Sequence, residues 1–86
     1  MDVLGRDSAR EVYRVAIGGP EGQIVGLVPD SLISERLALT GGRGHQTAYD
    51  WLAQNATHIE TTLRTLRSGA RVRRAPFDRI VLDEEP

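Results

Sequence analysis

Between residues 47 and 69, the apolar residues Ala48, Leu52, Ala56, Ile59, Leu63 and Leu66 recur at steps of four, four, three, four and three. That period lines apolar side chains along one face of an α-helix. The spacing predicts a single amphipathic helix over this span, with Thr47 as N-cap, Asp50 three residues on as the reciprocal half of a capping box, and Gly69 as the left-handed residue that ends it. Burying Leu52, Ile59, Leu63 and Leu66 contributes at most ~1.5–3 kcal/mol each. Ordering the backbone costs roughly 1–2 kcal/mol for every residue fixed. Such a helix cannot stand alone, and its stripe must lie on another element.

The remaining chain supplies that element. Tyr13, Val15 and Ile17 alternate with Val12, Arg14 and Ala16, as in a half-buried strand. Gly18-Gly19-Pro20-Glu21-Gly22 breaks the pattern, and residues 23–28 resume it, which predicts a β-hairpin. Pro29-Asp30-Ser31 is a helix start with Asp30 or Ser31 as cap, and a short helix follows as far as Gly41-Gly42. After the long helix, Ala75-Pro76 interrupts and residues 77–82 supply a third strand. The expected fold class is α+β and two-layer: a small antiparallel sheet in β-β-α-α-β order, packed on one face by a short and a long helix. The stripe is then expected to meet Tyr13, Val15, Ile17, Ile80 and Leu82, leaving Arg14, Arg79 and Val81 on the other face. Residues 1–10 have no sustained period and are expected to be a flexible lead-in, 11–82 a single domain and 83–86 a solvated acidic tail. Open sheet edges and a partly apolar outer face suggest a homodimer.

Composition excludes several function classes. At 86 residues, 40% of them hydrophobic, the chain suits one modest core. With no cysteine there is neither disulfide, thiolate metal site nor cysteine nucleophile, which fits a reducing cytoplasm. Acids and a glycine near Met1 do not resemble a signal peptide, and the longest apolar run, residues 24–28, is far short of a membrane span.

Charge is unevenly spread. The formal net charge is −1, yet residues 64–80 hold six arginines against the single acid Asp78. A local patch of that kind steers anionic partners even on a nearly neutral protein. Arg64, Arg67, Arg71, Arg73 and Arg74, with Arg79 nearby, are therefore the leading candidate site. The ordinary reading of such a run is a solvated helix end, where positive charge is favoured anyway. An acidic protein contact comes next and nucleic acid third, because the four aromatic residues are not interleaved with the basic ones. If residues 71–74 are extended, Arg71 and Arg73 point to one side, and Val72 and Arg74 to the other.

Trp51 lies beside the helical stripe, either as an interface anchor or as a cover on the core rim. The loop Gly41-Gly42-Arg43-Gly44 precedes a helix but lacks the Gly-Lys-Ser/Thr of a phosphate loop, so a plain linker is favoured. His58 and Asp50 lie two helical turns apart, about 12 Å, too far to pair. With His45 the only other histidine, no zinc site is expected, nor any cofactor. The serines and threonines have no placed base, so the chain reads as non-enzymatic. Thr57, Thr61 and Thr65 form a β-branched stripe that helix propensity does not explain.

Several segments together resemble the domain of unknown function family 1488: a strand pair crossing Gly22, the helix start Val28-Pro29-Asp30-Ser31-Leu32, His58-Ile59-Glu60 inside a long helix, and the closing Phe77-Asp78-Arg79-Ile80-Val81-Leu82. The resemblance spans residues 11–82 and implies a small bacterial α+β protein. It carries no activity and no functional residue.

Overall fold

The computed structural model describes residues 1–19, 22–39 and 44–83. In chain order the elements are β1 (Asp2–Asp7), β2 (Val12–Gly19), β3 (Gly22–Pro29), α1 (Asp30–Ala38), α2 (Gly44–Gln54), α3 (Ala56–Arg67), a single 3₁₀ turn Phe77–Arg79, and β4 (Val81–Leu82). The strands form one antiparallel sheet in the order β1-β2-β3-β4, with α1 and α3 against it on one side. The two-layer α+β class expected from the periodicities is what the chain adopts.

The hairpin is in the expected place, with Ile17 opposite Ile24, Val15 opposite Gly26 and Tyr13 opposite Val28. Because strand side chains alternate, these six positions share one face. The side chains of all but Gly26 join Leu32 and Ile33 of α1, Ala48 and Leu52 of α2, and Ile59 and Leu63 of α3 in a single core that Phe77 and Ile80 complete. Leu66 and Leu82 are half-buried at its edge. The predicted helical stripe therefore faces the predicted sheet.

Residues 1–10 are not a loose lead-in. Asp2–Asp7 pairs with β2 as an edge strand, with a register shift between Val3 and Gly5. The lack of a sustained alternation there hid a strand whose first half is exposed. Asp7 then closes the β1–β2 turn: its Oδ1 accepts the Ala9 and Arg10 amides and its Oδ2 takes the Arg10 Nε–H at 2.7 Å. These bonds, led by the Arg10 side chain, hold the Asp7 carboxyl below its ordinary range.

The long helix is two. Its first part starts at Gly44, so Thr47 lies inside α2 and is not the cap. The second part is offset at Asn55, whose φ of −104° and ψ of 13° leave the helical region. The ladder bridges the joint, since Asn55 N–H donates to the Trp51 carbonyl and Ile59 N–H to the Asn55 carbonyl. The Asn55 side-chain amide also donates to Trp51 O at 2.9 Å, a local bond that competes with regular helix. Because the bend involves a single residue, the apolar period runs through it unbroken.

At the other end the expectation holds. Gly69 has φ +87° and its amide reaches the Leu66 carbonyl, while Ala70 N–H reaches Thr65 O, the two bonds of a Schellman ending.

Three smaller expectations are corrected. Neither Asp30 nor Ser31 caps α1; Pro29 holds that position without a side-chain bond, and the Asp30 carboxylate instead accepts the Arg6 guanidinium, with Nε at 2.9 Å. Only Val81 and Leu82 of the predicted third strand pair with β3, because the chain after the cis Ala75–Pro76 bond first makes the 3₁₀ turn. Asp83 is not solvated: its side chain is 5% exposed, 3.4 Å from both Arg10 and Arg14, and its amide donates to Val25 O. Residues 84–86 of the expected tail lie outside the described residues.

Candidate functional site

The Schellman ending turns the chain back along α3, and residues 70–76 run without helix or strand to the 3₁₀ turn. Val72 is half-buried against the core and fixes this return segment. On either side of it Arg71, Arg73 and Arg74 are exposed, as are Arg64 and Arg67 on the last turns of α3. The separation of Arg74 from Arg73 onto opposite faces does not occur.

Other arginines of the chain are neutralised. Arg6 pairs with Asp30, Arg10 with Asp7 and Asp83, and Arg14 with Asp83. Arg79 does not lie on the outer sheet face; it crosses to α1, where its Nη1 donates to Glu35 Oε2 at 2.6 Å and its Nη2 to the Ser31 hydroxyl. The difference follows from the 3₁₀ turn, which replaces the strand alternation assumed for that position. Among the described residues, the side chains of Arg64, Arg67, Arg71, Arg73 and Arg74 make no hydrogen bond or ion pair. Arg36 on α1 is in the same condition and lines a separate groove with Ala75 and Pro76.

Two of these five converge on a cleft. Between α3 and the return segment lies a space of about 240 Å³ lined by His58, Thr61, Thr62, Thr65, Val72, Arg73, Arg74 and Phe77. Thr61 and Thr65 of the threonine stripe line it, and Thr57 does not. Thr61 Oγ1 donates to Thr57 O at 3.0 Å, Thr62 to His58 O at 2.8 Å and Thr65 to Thr61 O at 2.9 Å. Each hydroxyl proton is thus satisfied one turn back, and the wall shows methyl groups and oxygen lone pairs.

Trp51 is half-buried on α2 and stacks on Phe77, with ring centroids 6.4 Å apart and planes at 29°. His58 stacks on the same Phe77 ring at 5.4 Å and 23°. Trp51 does not line the arginine cleft. It faces a separate groove with Leu37, Leu39, Thr47, Asp50 and Asn55, and touches the cleft only through Phe77. The cleft residues His58, Thr61, Thr65, Val72 and Phe77 were missed by charge-based reasoning. The signal that marks them is the threonine stripe, whose period already placed Thr61 and Thr65 on one helix face.

Residues 40–43 fall outside the described residues, and with them Gly41, Gly42 and Arg43 of the glycine loop; the His45 side chain is likewise outside them. Among the described residues no group of three or more His, Asp or Glu is placed to hold a metal ion. No helix among them is long and apolar enough to cross a membrane. No protein-family model, curated protein or solved structure matches the chain.

Proposed function

We propose that this chain is a small, non-enzymatic protein-binding module of the bacterial cytoplasm whose arginine face docks an acidic segment of a partner protein. One observation carries the reading: Arg73 and Arg74 line one cleft, and neither they nor Arg64, Arg67 and Arg71 have a partner among the described residues, while Arg6, Arg10, Arg14 and Arg79 are all paired with carboxylates. Exposed like charges repel one another and gain little from water-screened pairs elsewhere. A fold that leaves them uncompensated keeps a positive field for an outside anion. The bacterial setting comes from the resemblance to family 1488 and belongs to the same proposal.

Nucleic acid is disfavoured by the arrangement of the aromatic rings. Single strands are gripped by bases stacking on open aromatic faces, whereas Phe77 is engaged with Trp51 and His58 and is 6% exposed.

Fluorescence polarisation with a labelled oligoglutamate peptide tests the proposal. The Arg73→Glu/Arg74→Glu double variant is expected to lose at least about tenfold in affinity, equivalent to about 1.4 kcal/mol, and binding is expected to weaken as salt rises. Unchanged affinity in the double variant contradicts the reading. Binding of a single-stranded oligonucleotide without binding of oligoglutamate transfers the face to nucleic acid.

The homodimer is part of the same proposal. Its support is the exposure of Leu4 at 45% and Val81 at 53%, on the two edge strands of the sheet. Light scattering behind a sizing column is expected to report the mass of two chains; the mass of one removes the dimer and leaves the arginine face untouched.

A further inference from the structure

The arginine face has a built feature that a diffuse patch lacks. We infer that the cleft between α3 and residues 72–77 seats a carboxylate side chain from an extended acidic segment of a partner protein, held at its mouth by Arg73 and Arg74. This rests on the function proposed above and names the part of the face that does the selecting.

The size of the cleft limits the occupant. The cleft measures about 240 Å³ and is open to solvent along its mouth. That volume is the space of a side chain or two and not of a folded element. The chemistry limits it further. Thr61, Thr62 and Thr65 have each given their hydroxyl proton to a carbonyl of their own helix. The side-chain donors that remain on the lining are the Arg73 and Arg74 guanidiniums and the His58 ring. An anion therefore finds its partners at the arginines, where the planar fork suits a carboxylate.

The threonine wall complements the rest of such a segment. Its methyl groups and Val72 accept the aliphatic stem of a glutamate. Its hydroxyl lone pairs accept peptide N–H groups, which an extended backbone leaves unpaired and a polyphosphate does not possess. A phosphate chain would meet acceptor against acceptor along the threonines. The cleft thus favours an acidic peptide over a nucleic acid backbone of the same charge.

A plug that leaves every arginine in place separates this inference from the broader one. Thr61 is exposed on α3, so a large side chain there enters the cleft without disturbing the core. Thr61→Phe is expected to weaken labelled oligoglutamate at least about tenfold while Arg64→Glu/Arg67→Glu, outside the cleft, weakens it only a few-fold. Thr61→Leu serves as a smaller plug should the phenylalanine variant fail to fold, as circular dichroism reports. Wild-type oligoglutamate affinity in a folded plugged variant overturns the cleft. In that case the arginine face still stands, since it falls only if Arg73→Glu/Arg74→Glu also binds normally. Loss of a single-stranded oligonucleotide in the plugged variant, with oligoglutamate unaffected, also overturns the inference and assigns the cleft to phosphate.

Discussion

Gly26→Val is expected to destabilise the fold by about 3 kcal/mol, the upper end of the ordinary range for overpacking. A Cβ built on Gly26 lies 2.2 Å from Leu63 Cδ2 and 3.3 Å from its Cδ1 and Cγ. Two effects oppose each other at this site. Any side chain in a strand interior recovers roughly 0.5–1 kcal/mol of the backbone entropy that glycine loses. The clash outweighs it, because Leu63 is 0% exposed and closed in by the core that joins α3 to the sheet. Leu63→Ala alone is expected to cost ~2–5 kcal/mol through lost burial and a residual cavity. Together the two changes should cost clearly less than their sum, because the valine methyls enter the space that leucine vacates. A coupling of about 1–3 kcal/mol is expected from urea midpoints of the four proteins. Additive losses contradict the claim that Gly26 exists to let α3 approach β3.

The same contact explains how much of the fold was legible in the sequence. The apolar repeat from Ala48 to Leu66 and the alternation from Tyr13 to Ile17 are burial patterns, and burial is what a two-layer core enforces. The features that escaped have weak burial signals. β1 is a half-exposed edge strand, with Val3 37% and Leu4 45% exposed, so it shows no clean alternation. The bend at Asn55 leaves the repeat in phase, and its only mark is an asparagine that bonds Trp51 O more readily than it extends a helix. The closing strand was overestimated because Phe77, Ile80 and Leu82 look strand-like, although Phe77 enters the core from a 3₁₀ turn. For the site, sequence located the unpaired arginines but could not tell them from Arg79, whose partner Glu35 lies 44 residues away. It also recorded the threonine stripe without its place, since the cleft that Thr61 and Thr65 line exists only once the return segment forms the opposite wall.

Phe77→Ala is expected to cost about 3 kcal/mol and to weaken oligoglutamate binding, although it removes no charge. Truncating a buried phenylalanine typically costs ~3–5 kcal/mol, and stacked rings add ~0.5–1.5 kcal/mol beyond area. Phe77 is 6% exposed and stacks with both Trp51 and His58. It is also the end post of the return segment: Asp78 N–H donates to Arg74 O at 3.0 Å and Ile80 N–H to Phe77 O at 3.1 Å. Arg73 and Arg74 therefore hold their places over the threonine wall because the next aromatic ring is locked between α2 and α3. Removing that ring loosens the segment and lets the two guanidiniums spread into water. Phe77→Leu keeps much of the apolar volume and is expected to cost about 1 kcal/mol, within the common range for point changes. Trp51 is the only tryptophan, so its emission reports the stack directly. It should shift to the red in Phe77→Ala as its ring partner is lost and water reaches the indole. A loss below about 1 kcal/mol with unchanged emission means that Phe77 is not the post, and that something else holds the arginines against α3.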